Sequence, residues 1–148
     1  MADLNFSDEQ IQVTPIILFI DYVNIQYNNY LKKNFKNLTP RDFTYLANIF
    51  YRHNMSQRDL ADLLGVSEAN VTQIIKRLEK TGYIKRKCDE NNKSRKIVEL
   101  TEDGKLAIFT LLKAVYEWEA KLFEGYSAEE IEKFKIMLYE FSEKSTYP

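Results

Sequence analysis

The segment between Ser67 and Gly82 carries polar residues whose types and spacing suit pairing with base edges. If Val71, Ile74, Ile75 and Leu78 mark the inward side of a 3.6-residue period, the other side shows Asn70, Thr72, Gln73, Lys76, Arg77 and Lys80. Asn and Gln can bridge adenine N6/N7, and Arg can bridge guanine O6/N7 in two parallel bonds. Ser67 stands at the start of that helix, where free N–H groups suit a backbone phosphate. Gln57, at the start of the preceding candidate helix, is placed for a second phosphate. Downstream, a candidate hairpin adds Lys85, Arg86, Lys87, Lys93, Arg95 and Lys96. Arg95, near its tip and with Lys93 beside it, is the candidate for insertion into a narrow minor groove. The same residue types also solvate ordinary surfaces, so the pattern gains its weight from the elements around it.

Other chemistry lacks raw material. The 148 residues hold one cysteine, Cys88, which excludes a disulfide framework and a CxxC metal site, and one histidine, His53, which leaves a His-based zinc site or a Ser-His-Asp triad almost no raw material. No nucleophile–base pair, phosphate-cradling glycine loop or metal set is found, so no catalytic residue, metal or cofactor is expected. His53 reads as a surface residue and Cys88 as a bystander thiol. A hydrophobic fraction of 45% against 29% charged is the balance of a globular chain. No apolar run approaches a membrane span, and the longest, IILFI at 16–20, follows acidic residues rather than lysines, so a cytoplasmic protein is expected. The net charge of −1 conceals a polarised distribution. Residues 66–100 carry nine Lys/Arg against five Asp/Glu, while residues 101–148 carry six against ten.

The elements that must position these residues follow from periodicity and caps. Residues 1–14 read as a polar, aperiodic arm ending at Pro15. From there to about Lys33, apolar residues occupy two stripes, which implies burial on more than one side. Thr39-Pro40 starts a helix reaching about His53, with Phe43, Leu46, Ala47 and Phe50 inward. Ser56 to Asp59 is a capping box opening a short helix over 57–64, which Gly65 stops. Ser67 caps the next helix, so two helices flank a short Gly-Val-Ser turn. Strand-like runs at 83–88 and 95–100 enclose the polar turn DENNKS, forming a hairpin. Thr101 caps a long helix to about Glu124, and Ser127 to Glu130 opens the last one. The order α-α-α-α-β-β-α-α predicts a mainly α fold with a small β-hairpin wing, a winged helix-turn-helix with additional N- and C-terminal dimerisation helices. Its expected divisions are 1–36 (arm and dimerisation helix), 37–101 (DNA-binding lobe) and 102–148 (C-terminal dimerisation helices).

The segments LTPRDFTYLANI, SQRDLADLLGVSEANVTQIIKRLEKTGYIKRK and IVELTEDGK resemble the MarR (multiple antibiotic resistance regulator) family of bacterial transcription factors. With its flanking helices the resemblance spans about residues 15–145. It implies an obligate homodimer, with the first and last two helices interleaved between subunits, bound to a pseudo-palindromic double-stranded operator. It further implies repression of a nearby gene, relieved in many members by a small phenolic or lipophilic anion bound between the dimer region and the DNA-binding lobe. Carried over by position, Asn70, Gln73 and Arg77 match base contacts, and Ser67 and Gln57 match phosphate contacts. The wing departs from the family pattern: Asn92-Lys93-Ser94 replaces the usual Asp-Arg-Arg, and Arg95 follows one residue later. A one-residue shift along a strand points a side chain to the opposite face.

Tyr22, Tyr45, Phe50 and Tyr116 are the aromatic candidates for an effector pocket, although aromatics at helical spacing also build plain core. The competing reading is a winged-helix protein-interaction module without specific DNA binding. Salt-dependent binding to promoter DNA separates the two.

Overall fold

The computed structural model describes residues 4–146. Two compact units divide the chain at 104/105. The first holds α1 (Asp8–Val13), α2 (Ile16–Asn34), α3 (Pro40–Tyr51), α4 (Gln57–Leu64), α5 (Glu68–Lys80) and the antiparallel hairpin β1 (Ile84–Cys88) and β2 (Lys96–Leu100). α6 (Glu102–Leu122) begins in it and continues into the second unit, which also holds α7 (Ala128–Ser145). A mostly helical chain with one two-stranded wing is the expected class. α2 falls in the first unit, and its Leu31 is fully buried.

The described part of residues 1–14 corrects the reading of an aperiodic arm. Ser7 accepts from the Gln10 N–H, and the Gln10 side chain accepts from the Ser7 N–H, a complete capping box that starts α1. Phe6, just before that cap, packs against Phe19 of α2 with ring centroids 5.9 Å apart.

Local signals set the remaining boundaries. Thr39 caps α3 reciprocally with Asp42, and Ser56 caps α4 with Asp59. α3 ends at Tyr51, two residues short of the expected end, in a turn where Asn54 takes φ 59°. Gly65 adopts φ 63° between α4 and α5, a conformation that costs a residue with a Cβ more than it costs glycine.

The core of the first unit is built from Phe43 and Leu46 of α3, Leu60 of α4, Val71, Ile75 and Leu78 of α5, and Ile84 and Val98 of the hairpin. Hairpin register pairs Ile84 with Leu100 and Arg86 with Val98. The segment at Met55–Ser56 joins the edge of β2, where the Val98 N–H donates to the Met55 carbonyl at 2.8 Å. That contact fixes the wing to the segment just before α4.

Gly104 marks a tight approach. A Cβ there would lie 2.0 Å from the Tyr83 carbonyl oxygen, which already accepts from the Thr101 N–H. Gly104→Ala should therefore lower stability by about 1–3 kcal/mol through overpacking, read from a urea midpoint. A midpoint equal to wild type would mean that this junction yields freely.

In the second unit Ile108 and Leu111 are buried, and Phe123 meets Phe134 edge-on at 6.1 Å. α7 has no buried residue, although it carries Phe134, Ile136, Met137, Leu138, Tyr139 and Phe141.

Candidate nucleic-acid interface

α5 buries Val71, Ile74, Ile75 and Leu78, and this turns Ala69, Asn70, Gln73, Lys76 and Lys80 to solvent. Ser67 caps the helix by accepting from the Asn70 N–H at 3.2 Å. The exposed helix start offers N–H groups and a positive dipole end, both suited to an anionic oxygen. Asn70, Gln73 and Lys76 then form the polar strip that continues from it. Asn70, Gln73, Lys76 and Ser67 therefore lie together as the sequence suggests.

Other candidates are engaged inside the protein. Arg77 turns back from α5 to Asp42 of α3. Its Nη1 donates to Oδ2 at 2.9 Å, and its Nη2 pairs with Oδ1. Asp42 is fully buried and also accepts from the Thr39 N–H at 2.8 Å, so one carboxylate caps α3 and anchors α5. Burial pushes the Asp42 carboxyl up. The Arg77 hydrogen bond, the Thr39 N–H and the guanidinium charge outweigh that and hold it below the ordinary carboxylate value. The Nη1/Nη2 edge of Arg77, expected to face guanine, is thus turned to a carboxylate, while its side chain stays 47% exposed.

Gln57 and Thr72 are likewise not a free phosphate contact and a free base contact. Gln57 Nε2 donates to Thr72 Oγ1 at 2.9 Å, while Thr72 Oγ1 donates to the Glu68 carbonyl at 2.8 Å. Gln57 Oε1 accepts from Arg86 Nη1 at 3.3 Å, and Arg86 Nη2 pairs with Glu79 at 2.8 Å. This chain of contacts ties α4, α5 and β1 together and withdraws Arg86 from the wing surface.

Arg95 does not point outward from the tip. It donates to Asp89 at 2.8 Å, to Asp59 at 2.6 Å and to the Asn54 carbonyl at 3.0 Å. Arg95 ends the turn just before β2, and its side chain runs back to Asp59 of α4 and the Asn54 carbonyl. The Ser56 N–H and hydroxyl, and then Arg95, hold the Asp59 carboxyl below its ordinary range. At the tip Asn92 accepts from the Ser94 N–H and hydroxyl, closing a small turn that leaves Lys93 exposed. Lys76, Lys80, Lys85, Lys93 and Lys96 have no carboxylate partner among the described residues, whereas Lys87 pairs with Glu99. The cationic surface of α5 and the hairpin is therefore made mainly by lysines.

The four aromatic candidates do not share one cavity. Tyr45 is buried and lines a cavity of about 590 Å³ between α2, the start of α3 and the α4–α5 turn. Tyr22 and Phe50 are half-buried and lie outside its lining, and Phe50 meets Tyr51 edge-on at 5.0 Å. Tyr116 is exposed in the second unit. The lining of the cavity mixes amide, hydroxyl and cationic groups with about as much apolar surface from Pro40, Leu64, Val66 and the Tyr45 ring. Among the described residues no group of three His, Cys, Asp or Glu is placed to hold a metal, and no helix is long and apolar enough to cross a membrane. His53 and Cys88 are exposed.

Residues 38–96 match the MarR family model. An HTH-type transcriptional regulator of Bacillus cereus is 32% identical over 87% of this chain and 82% of its own length. The solved structure of the transcriptional regulator SlyA is 25% identical, covers 89% of this chain and 94% of its own, and superposes with a TM-score of 0.76. A crystal structure of MarR shares the fold at a TM-score of 0.81 and 24% identity, covering 99% of this chain and 95% of its own. Helix-turn-helix geometry, an outward polar strip on α5, a basic hairpin and these similarities converge. The chain belongs to the MarR family of winged helix-turn-helix, DNA-binding transcriptional regulators, a family of regulators rather than enzymes.

Proposed function

We propose that this regulator acts as a homodimeric repressor on a pseudo-palindromic operator, each copy placing α5 in a major groove, and that a small ligand relieves repression. The observation that carries the reading is the strip Asn70, Gln73 and Lys76, solvent-exposed beyond the α4–α5 turn and following the helix start at Ser67. Asn70 and Gln73 supply the amides that pair with adenine, and Ala69 offers a methyl to a thymine methyl. Ser67 and the first N–H groups of α5 take a phosphate, while Lys76, Lys80 and Lys93 act as point charges along the backbone. Arg77, Gln57, Thr72, Arg86 and Arg95 serve instead to hold α5 and the wing in position.

Dimerisation is supported by apolar surface that a lone chain leaves in water. Ile16, Ile17, Leu18, Val23 and Ile25 of α2 are each about half exposed or more, as are Phe134, Ile136, Met137 and Tyr139 of α7. Single exposed apolar residues are ordinary, but helices carrying this many mark an interaction surface. Two recognition helices then predict half-sites about one turn of DNA apart, roughly 10 base pairs, in a footprint.

In a gel-shift series, Gln73→Ala should cost about 1–3 kcal/mol on the operator and relax preference at one base position. Lys76→Ala should weaken all sequences alike and reduce the salt slope by about one. Equal losses on specific and scrambled DNA for Gln73→Ala would remove it from base reading. Affinity independent of salt would overturn the DNA-binding role of this face.

A further inference from the structure

We infer that Thr101 is a positioning residue for operator recognition: its hydroxyl locks the root of α6 to the exit of α5 and so fixes the half-site separation that a pair of recognition helices accepts. α5 ends in a tight reversal, where the Gly82 and Tyr83 N–H groups donate back to the Glu79 and Leu78 carbonyls at 3.1 and 2.9 Å. The carbonyls of Gly82 and Tyr83 are then left for partners outside α5, and Thr101 takes both. Its N–H donates to the Tyr83 carbonyl at 3.0 Å. Its hydroxyl donates to the Gly82 carbonyl while accepting from the Gly104 N–H at 3.1 Å. Gly104 completes the junction, since only a residue without a Cβ lets the first turn of α6 lie against the Tyr83 carbonyl. An ordinary N-cap needs no more than an acceptor. Thr101 also spends its proton on a carbonyl of another element, and that second bond carries the inference.

The consequence is leverage. α6 is one continuous helix of 21 residues, about 30 Å long at about 1.5 Å per residue. Leu106, Phe109 and Tyr116 recur on one side of it, and each is more than half exposed. A tilt of about 6° at the root of such a helix moves its far end by about 3 Å, close to the rise of one base pair. In a dimer joined through apolar surface on α6 and α7, play at Thr101 becomes play in the distance between the two copies of α5. The spacing role rests on the two-half-site reading proposed above.

The test uses the full chain and an operator that the wild type selects from random duplex DNA, with one or two base pairs inserted between the half-sites or removed. Three substitutions separate the roles of the hydroxyl. Thr101→Ser keeps both donor and acceptor. Thr101→Asp keeps the acceptor that caps α6, aspartate being among the best N-caps, but brings no proton to the Gly82 carbonyl. Thr101→Val keeps the shape and removes both. Wild type and Thr101→Ser should lose about tenfold or more in affinity for a one-base-pair change, because joint engagement of two half-sites tolerates little misfit. Thr101→Asp and Thr101→Val should lose only about threefold or less on the same change. Both should keep the wild-type preference at the base read by Gln73. Thr101→Asp, with its cap intact, carries the test if circular dichroism shows Thr101→Val unfolded. Wild-type spacing discrimination in Thr101→Asp overturns the proposal and reduces the hydroxyl to a helix cap. Spacing tolerance accompanied by lost base preference overturns it too, because α5 itself would then have come loose. Failure of Thr101→Ser to restore discrimination does the same. A wild type indifferent to spacing removes the two-half-site reading and the role of Thr101 with it, whereas discrimination retained in the variants removes the role of Thr101 alone.

Discussion

Arg77→Ala should lower the unfolding free energy by about 2–4 kcal/mol at neutral pH, more than any loss it causes in base selectivity. Removing one partner of a buried ion pair costs about 3–5 kcal/mol, and the solvent that reaches the guanidinium reduces this somewhat. The carboxylate left behind belongs to Asp42, which is wholly buried and retains only the Thr39 bonds. Asp42→Ala in the Arg77→Ala background should therefore cost less than additivity predicts, a coupling that urea melts of the four-member cycle will show.

The pH dependence of this loss has a definite sign. In the wild type Asp42 titrates below its ordinary value of 3.8, so the pair stabilises the fold above that pH and loses its contribution as pH falls toward the folded pKa. Without Arg77, burial dominates and the carboxyl takes its proton at higher pH. The stability gap between variant and wild type should thus be widest near neutrality and close below about pH 4. A gap that stays constant from neutral to acid pH would mean that the pair is held by shape rather than charge.

Met137→Glu combined with Phe141→Glu should produce a monomer and reduce operator affinity by about 10²–10⁴-fold. The two side chains are 59% and 44% exposed, and they lie four residues apart on one face of α7. Carboxylates there cost the single chain little, because its surface is already solvated. Burial against a second copy would desolvate two charges per subunit. Loss of the second half-site removes the gain from linked binding, which accounts for the size of the expected drop. Sedimentation should show half the wild-type mass, with unchanged helicity by circular dichroism. A dimeric double variant would place the subunit contact on another surface.

Much of this architecture was legible because its signals are local. Thr39-Asp42, Ser56-Asp59 and Ser127-Glu130 each declare a helix start within four residues, and Gly65 and Gly82 declare ends. Ser7-Gln10 carried the same signal for α1 and was hidden by the polar residues around it. The internal ion pairs of the arginines were not legible, for a different physical reason. Their partners lie 35 residues away for Arg77 and 36 for the Arg95–Asp59 contact. Helical periodicity places a Cβ on a face but does not say whether a long side chain follows it outward or folds back to a carboxylate. The outward residues that the fold left free are the shorter Asn70 and Gln73 and the unpaired lysines. Likewise, four rings at plausible spacing give no measure of which ones share a void.

The internal commitment of Arg95 changes what flanking sequence can do for this regulator. An inserted guanidinium rewards a compressed, adenine-thymine-rich groove, whereas an ammonium on a flexible stem answers to charge density alone. With Lys93 alone at the tip of a turn stapled to α4, base composition outside the proposed half-sites should weigh little in choosing targets. On the proposed reading, discrimination among chromosomal loci should then fall on the few amide-bearing positions of α5, and the bound promoters should vary widely at their edges and little at their centre.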